Sequence, residues 1–193
     1  MRYNLAFMGD GGDGAILSGA VNGKIAFAQL VKEIDNEANA PIPLFLDFKH
    51  VDVATASYLR ESIFALKNYM RAVGSKYYPV AANPNDSVHD ELLMVANAKN
   101  DAILSCLMSD DNLISNVTVI GLLDVKQQRT FELVCDLRKT DANQLMEQFG
   151  ESEEIKVTTA WNNRLAGLAN KGLIREFTKG RSKYYRPVLE VSD

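Results

Sequence analysis

The stretch Lys156 to Val188, KVTTAWNNRLAGLANKGLIREFTKGRSKYYRPV, constrains this chain more than any other. Val157, Trp161, Leu165 and Leu168 recur at helical spacing and so share one face. At about 100° per residue, Thr159, Asn163, Ala166 and Asn170 fall on the opposite face, flanked by Asn162, Lys156 and Gly167. That second face carries hydrogen-bond donors and acceptors and no carboxylate. Gly172 stops the helix, because glycine accepts the left-handed conformation that closes one. Leu173–Phe177 then reads as a strand, Thr178–Ser182 as a turn and Lys183–Arg186 as the returning strand, ended by Pro187.

From 156 to 189 the chain has eight Lys/Arg and one acid, Glu176. That is +7 in a chain of net −4, which leaves −11 for the remainder. A basic element on an acidic protein suits a polyanion, since cations gain by releasing the counterions of a duplex. An exposed hairpin kept soluble by lysines is the competing explanation.

A helix with spaced leucines, then Lys-Gly-Leu-Ile, then a basic hairpin resembles the recognition helix and wing of winged helix-turn-helix proteins. The segment NRLAGLANKGLIREFTKGRSKYYRPV carries the likeness. The resemblance implies a helix set into the DNA major groove and a wing along the phosphates. Thr159, Asn162, Asn163 and Asn170 would then approach base edges. Lys179, Arg181 and Lys183 would contact phosphates, with Lys156 and Lys171 nearby. Members that bind only proteins make protein interaction the second use of such a domain.

Ahead of this segment, 2–8 reads as a strand and Gly9–Gly14 as a hairpin turn returning into a strand over 15–20. A helix is expected over 24–38, with Ile25, Ala28, Leu30, Val31 and Ile34 apolar. A strand covered on both faces follows over 43–48, then a loop over 50–54. Leu59, Ile63, Leu66, Met70 and Val73 predict one helix over 55–73. A strand over 77–82, a helix over 87–98 with Val88, Leu92, Val95 and Ala96 inward, and a hairpin of 101–108 with 116–122 complete an α/β domain. Helices over 125–138 (Phe131, Val134, Leu137), 141–149 and 156–172 supply a second. The expected division is 1–123, an α/β domain with a mixed sheet and helices, and 124–193, a winged helix.

Leu46-Asp47-Phe48 followed by Thr55-Ala56-Ser57-Tyr58-Leu59 is similar to the signature of STAS domains, the anti-sigma-factor antagonist modules of bacteria. Their strand ends Leu-Asp/Asn, and Asp-Ser-Ser-Gly-Leu opens the next helix. Thr55 takes the Asp position, Ala56 the first serine, Ser57 the serine phosphorylated by a histidine-kinase-like ATPase, and Tyr58 the glycine. The pattern is nearer a looser STAS-like group reading LDF…V…A(T/S)ASFL(R/D)E. What carries over is the fold, over about residues 1–122, with Ser57 the first candidate for modification and Thr55 the second. Helix capping is the simpler explanation of either hydroxyl.

Enzyme motifs are missing: there is no Gly-x-Ser-x-Gly, HExxH, paired CxxC or P-loop. Asp47, His50 and Ser57 are the one neighbourhood that could serve a hydroxyl nucleophile, and no catalysis, metal or cofactor is expected. Cys106 and Cys135 lack metal spacing and suit a reducing compartment. No apolar run approaches the roughly 18 residues that cross a bilayer. The resulting expectation is a cytoplasmic bacterial regulator of transcription. Double-stranded DNA is its expected partner at the C-terminal domain, with a kinase-like ATPase or another protein at the STAS-like domain and no membrane. Homodimerisation is the further option that the likeness to DNA-binding winged helices brings.

Overall fold

The computed structural model describes residues 1–9, 14–34 and 36–190. The chain divides into two compact units, Met1–Leu122 and Leu123–Glu190. No helix among the described residues is long and apolar enough to cross a membrane.

The first unit is α/β. Strands β1 (Arg2–Asn4), β3 (Ile42–Asp47), β5 (Tyr77–Ala82), β6 (Ala102–Met108) and β7 (Ile114–Gly121) form one sheet in the order β1-β3-β5-β6-β7. The first four are parallel and β7 is antiparallel to β6, so the sheet is mixed. Every residue of β5 is buried, as expected of a central parallel strand covered on both faces. Pro79 lies just before the pairing with β6 begins at Val80, where its missing N–H interrupts no ladder on that side. The helices are α1 (Ala20–Glu33), α2 (Ala56–Glu61), α3 (Ile63–Ala72) and α4 (Asp86–Ala98). Leu30, Leu46, Phe48, Tyr58, Leu59, Phe64, Leu66 and Leu92 belong to one continuous core.

Several expectations fail here for local reasons. The strand expected over 2–8 stops at Asn4, whose side chain accepts the Ala6 N–H and turns Leu5–Met8 into a 3-10 helix. Residues 15–20 do not return upon it: β2 (Ala15–Leu17) pairs in parallel with β4 (Val51–Ala54), a segment expected to be loop. The centre of the expected Gly9–Gly14 turn, residues 10–13, lies outside the described residues. The first helix starts at Ala20 rather than 24 and buries Gly23, Ala26 and Leu30, leaving Ile25 and Ala28 exposed. Small residues, not the bulkier Ile25, face the core there.

The single helix expected over 55–73 is two. Ser62 breaks it with φ −109° and ψ −77°, and its hydroxyl donates to the Tyr58 carbonyl at 2.7 Å. A serine bonding back one turn is a known cause of helix bending. Val73, expected inside, is the C-cap of α3 and exposed.

In the second unit, α5 (Val125–Leu137), α6 (Ala142–Phe149) and α7 (Thr158–Asn170) precede the antiparallel strands β8 (Ile174–Lys179) and β9 (Ser182–Pro187). Asp124 and Asp141 cap α5 and α6 by accepting backbone N–H bonds. The α5 face is shifted from the expected Phe131-Val134-Leu137: Thr130, Leu133 and Val134 are buried, and Phe131 and Leu137 only half-buried. Thr130 faces inward because its hydroxyl donates to the Lys126 carbonyl at 2.7 Å. Thr140 exchanges two backbone bonds with Tyr185, of 3.0 and 2.7 Å, so the α5–α6 connection is tied to β9 of the two-stranded hairpin by a single antiparallel bridge.

A buried ion pair in the first unit gives the most direct stability test. Lys67 Nζ lies 2.6 and 2.7 Å from the two carboxylate oxygens of Asp101, with both side chains largely out of water. Removing one member strands the other charge, at a cost of about 3–5 kcal/mol. Urea unfolding of Lys67→Met should show a loss of that order, and Lys67→Met/Asp101→Asn a loss smaller than the two single losses summed. Additive losses would contradict the pairing.

Candidate nucleic-acid interface

The α7 helix is amphipathic because its core face is anchored on one large ring. Trp161, Leu165 and Leu168 are fully buried. Gly172, at φ 72°, ends the helix with a Schellman arrangement: its N–H donates to Ala169 O at 2.9 Å and that of Leu173 to Leu168 O at 3.0 Å. With one face fixed inward, Thr159, Asn162, Asn163 and Asn170 are exposed. Ala166 and Gly167 lie half-buried between them. Arg164 stands at the helix edge, its guanidinium 5.1 Å from the Trp161 ring centre.

The helix is shorter than its sequence predicts. Val157 is its N-cap in extended conformation, and is exposed rather than packed inward. Lys156 therefore precedes the helix instead of lying on it, and is exposed. Lys171 is the C-cap residue at the other end.

Gly180 and Arg181 join β8 to β9 as a two-residue connection, with Gly180 at φ 63° as a tight hairpin with glycine first demands. Phe177 and Tyr184 stack behind it, 5.0 Å apart at 8°. Lys139 lies 4.7 Å over the Tyr184 ring. Lys179, Arg181 and Lys183 are exposed. They are not electrostatically equal. Lys183 pairs with Glu176 at 2.7 Å. Arg175 and Arg186 pair with Glu190, at 2.7 and 3.2 Å. Lys179 and Arg181 have no ion-pair partner among the described residues. Counting charge over 156–189 misses Glu190, one residue beyond that window, which sits between two of the counted arginines.

The two candidate hydroxyls of the first unit lie where α2 begins. Thr55 is its N-cap: Oγ1 accepts from Tyr58 N at 3.4 Å and Gly19 N at 3.2 Å. It also shares a 3.2 Å bond with Ser57 Oγ. Glu91 of α4 accepts the Ala56 N–H at 2.7 Å. A carboxylate thus already occupies this helix start, and a phosphate on Ser57 would add negative charge beside it. Glu91 thus serves a helix other than its own, a role that no local pattern betrays. Asp47 is nearly buried and accepts from Arg2 Nε at 2.8 Å, Lys49 N at 3.1 Å and Asn83 Nδ2 at 2.8 Å. These bonds tie the ends of β1, β3 and β5 together. Among the described residues no three His, Cys, Asp or Glu side chains cluster as metal ligands would.

Both thiols are held protonated. Burial, then the negative charge of Asp47, pushes Cys106 up from 9.0 to about 11. Burial, then Asp136 and Glu132, pushes Cys135 to about 11 as well. Neither is a thiolate nucleophile near neutral pH. Because the folded chain keeps protons that an unfolded thiol loses above 9.0, the associated stability is complete below pH 9 and is lost as pH rises through about 11. The urea midpoint should therefore fall between pH 9 and about 10.5, and Cys106→Ala/Cys135→Ala should flatten that slope. An identical slope in the double variant would contradict the assignment.

No protein-family model matches this chain, and no curated protein is significantly similar to it.

Proposed function

We propose that the second unit is a winged helix-turn-helix that binds double-stranded DNA, in a regulator of transcription whose first unit is STAS-like and receives a protein partner. One observation carries this reading: an exposed amide-bearing face of α7, with cations ahead of the helix, behind it and on the hairpin tip, and no carboxylate on that face. Phosphate contacts position a protein on the duplex and base contacts specify the site. Lys156, Lys171, Lys179 and Arg181 are our candidates for the first task; at the hairpin, Lys183 contributes less than Lys179 and Arg181 because it pairs with Glu176. Thr159, Asn162, Asn163 and Asn170 are candidates for the second. The helix order, the Thr140–Tyr185 bridge and the hairpin after α7 support the winged-helix reading.

A second reading, an interaction module paired with a histidine-kinase-like ATPase, draws support from exposed apolar side chains on the first unit. Ile16 and Val53 are neighbours across β2 and β4, and Phe7, Val21 and Ile25 are also exposed. The hydroxyls of Thr55 and Ser57 give such a partner less, since both already serve the start of α2.

Electrophoretic retention of a mixed-sequence duplex over a salt series tests the choice. Retention at micromolar protein, weakening steeply with salt, is expected. Lys179→Ala/Arg181→Ala should weaken binding to all sequences alike and lower the slope of log K against log salt by about 2, and Lys183→Ala by less. Absence of retention at low salt would favour the interaction module.

A further inference from the structure

We infer that α7 reads adenine–thymine base pairs, and that Asn162 and Asn163 are its specificity-determining residues. The inference rests on the DNA-binding reading above and narrows it to a class of site. In the major groove guanine presents two acceptors, N7 and O6, which match the paired donors of arginine or lysine. Adenine presents an acceptor at N7 and a donor at N6, which match the donor and acceptor of a carboxamide. The exposed stripe of α7 holds carboxamides and no cation. The one arginine of the helix, Arg164, stands at its edge with the guanidinium over the Trp161 ring. The lysines lie beyond the helix ends, Lys156 ahead of Thr158 and Lys171 as the C-cap. Cations suited to guanine are thus kept from the part of the helix that would face bases, and amides suited to adenine fill it.

Length sorts the asparagines further. Thr159 and Asn170 are eleven residues apart, about 16 Å along a helix axis. The major groove is about 12 Å wide, and recognition helices read with their N-terminal residues. Asn162 and Asn163, in the first turns of α7, therefore meet base edges, while Asn170 and Lys171 fall to the backbone. Thr159 and the half-buried Ala166 present methyl groups beside them, which suit the C5 methyl of thymine. Nδ2 of each asparagine donates to adenine N7, and Oδ1 accepts from the N6 amine.

The test is selection of bound duplexes from a randomised pool by the full chain, followed by affinity measurements on the enriched site and on a mixed-sequence duplex. The expected enriched sites carry A·T pairs at their central contacted positions. Asn162→Ala and Asn163→Ala should each weaken binding to the enriched site by roughly 5- to 150-fold. Both should weaken mixed-sequence binding by a smaller factor and leave its salt slope, which phosphate contacts set, unchanged, and far-ultraviolet circular dichroism matching the unsubstituted chain shows that the variants are folded. Enrichment of G·C pairs at those positions, no sequence preference, or discrimination that survives both substitutions would overturn the inference while leaving DNA binding intact. No salt-sensitive binding to any duplex would overturn the inference together with the reading beneath it.

Discussion

Burial of Trp161 with Leu165 and Leu168 is the constraint on which the second unit turns. Full burial of each such side chain contributes about 1.5–3 kcal/mol, and more for the indole, whose removal from a core costs about 3–5 kcal/mol. That is far more than any exposed polar contact of the helix returns. Once those three positions are inward, the 100° step of the helix leaves Thr159, Asn162, Asn163 and Asn170 no other direction but solvent. The polar face is thus a consequence of core packing. Its residues need make no stabilising contact, which under the proposed function leaves them free to be chosen for recognition.

Charge on the hairpin follows a similar division. Glu176 and Glu190 each hold cations of the hairpin stem: Lys183 for the first, Arg175 and Arg186 for the second. The more exposed of these pairs, Lys183–Glu176 and Arg186–Glu190, add little stability, typically under about 1 kcal/mol. Their larger effect is on the field, which they cancel along the stem while the tip cations Lys179 and Arg181 keep theirs. Under the proposed function the positive potential is therefore concentrated at the turn, held in place by the Phe177–Tyr184 stack and the Thr140–Tyr185 bridge.

Much of the fold was legible because apolar periodicity is a direct record of burial. Val88, Leu92, Val95 and Ala96 of α4 are buried as their spacing predicts, and the apolar run over 43–48, read as a strand covered on both faces, contains β3, which pairs with a strand on each side and is buried from Leu44 to Asp47. The mixed α/β character of the first unit followed from the alternation of such segments. What escaped was decided by single polar atoms. Ser62 splits a helix through one bond to Tyr58, and Asn4 ends a strand through one bond to Ala6. In α1 the inward face is built on Gly23 and Ala26, which a hydrophobicity count ranks below the exposed Ile25. At the candidate interface the composition of the α7 face could be read directly, whereas the neutralising role of Glu190 depended on a strand pairing that brings it to Arg175. The tie from Glu91 to the Ala56 amide spans 35 positions and has no local signature.

The central claim is that the outward face of α7 and the hairpin tip form one surface for duplex DNA. Heteronuclear NMR of the full chain during titration with a short A·T-rich duplex tests it most directly. The account predicts that the side-chain amides of Asn162 and Asn163 and the backbone amides of Gly180 and Arg181 shift together with one apparent affinity, while the indole N–H of the buried Trp161 changes little. Shifts confined to residues 1–122, or an unmoved pair of asparagine amides while the chain is saturated with duplex, would contradict it.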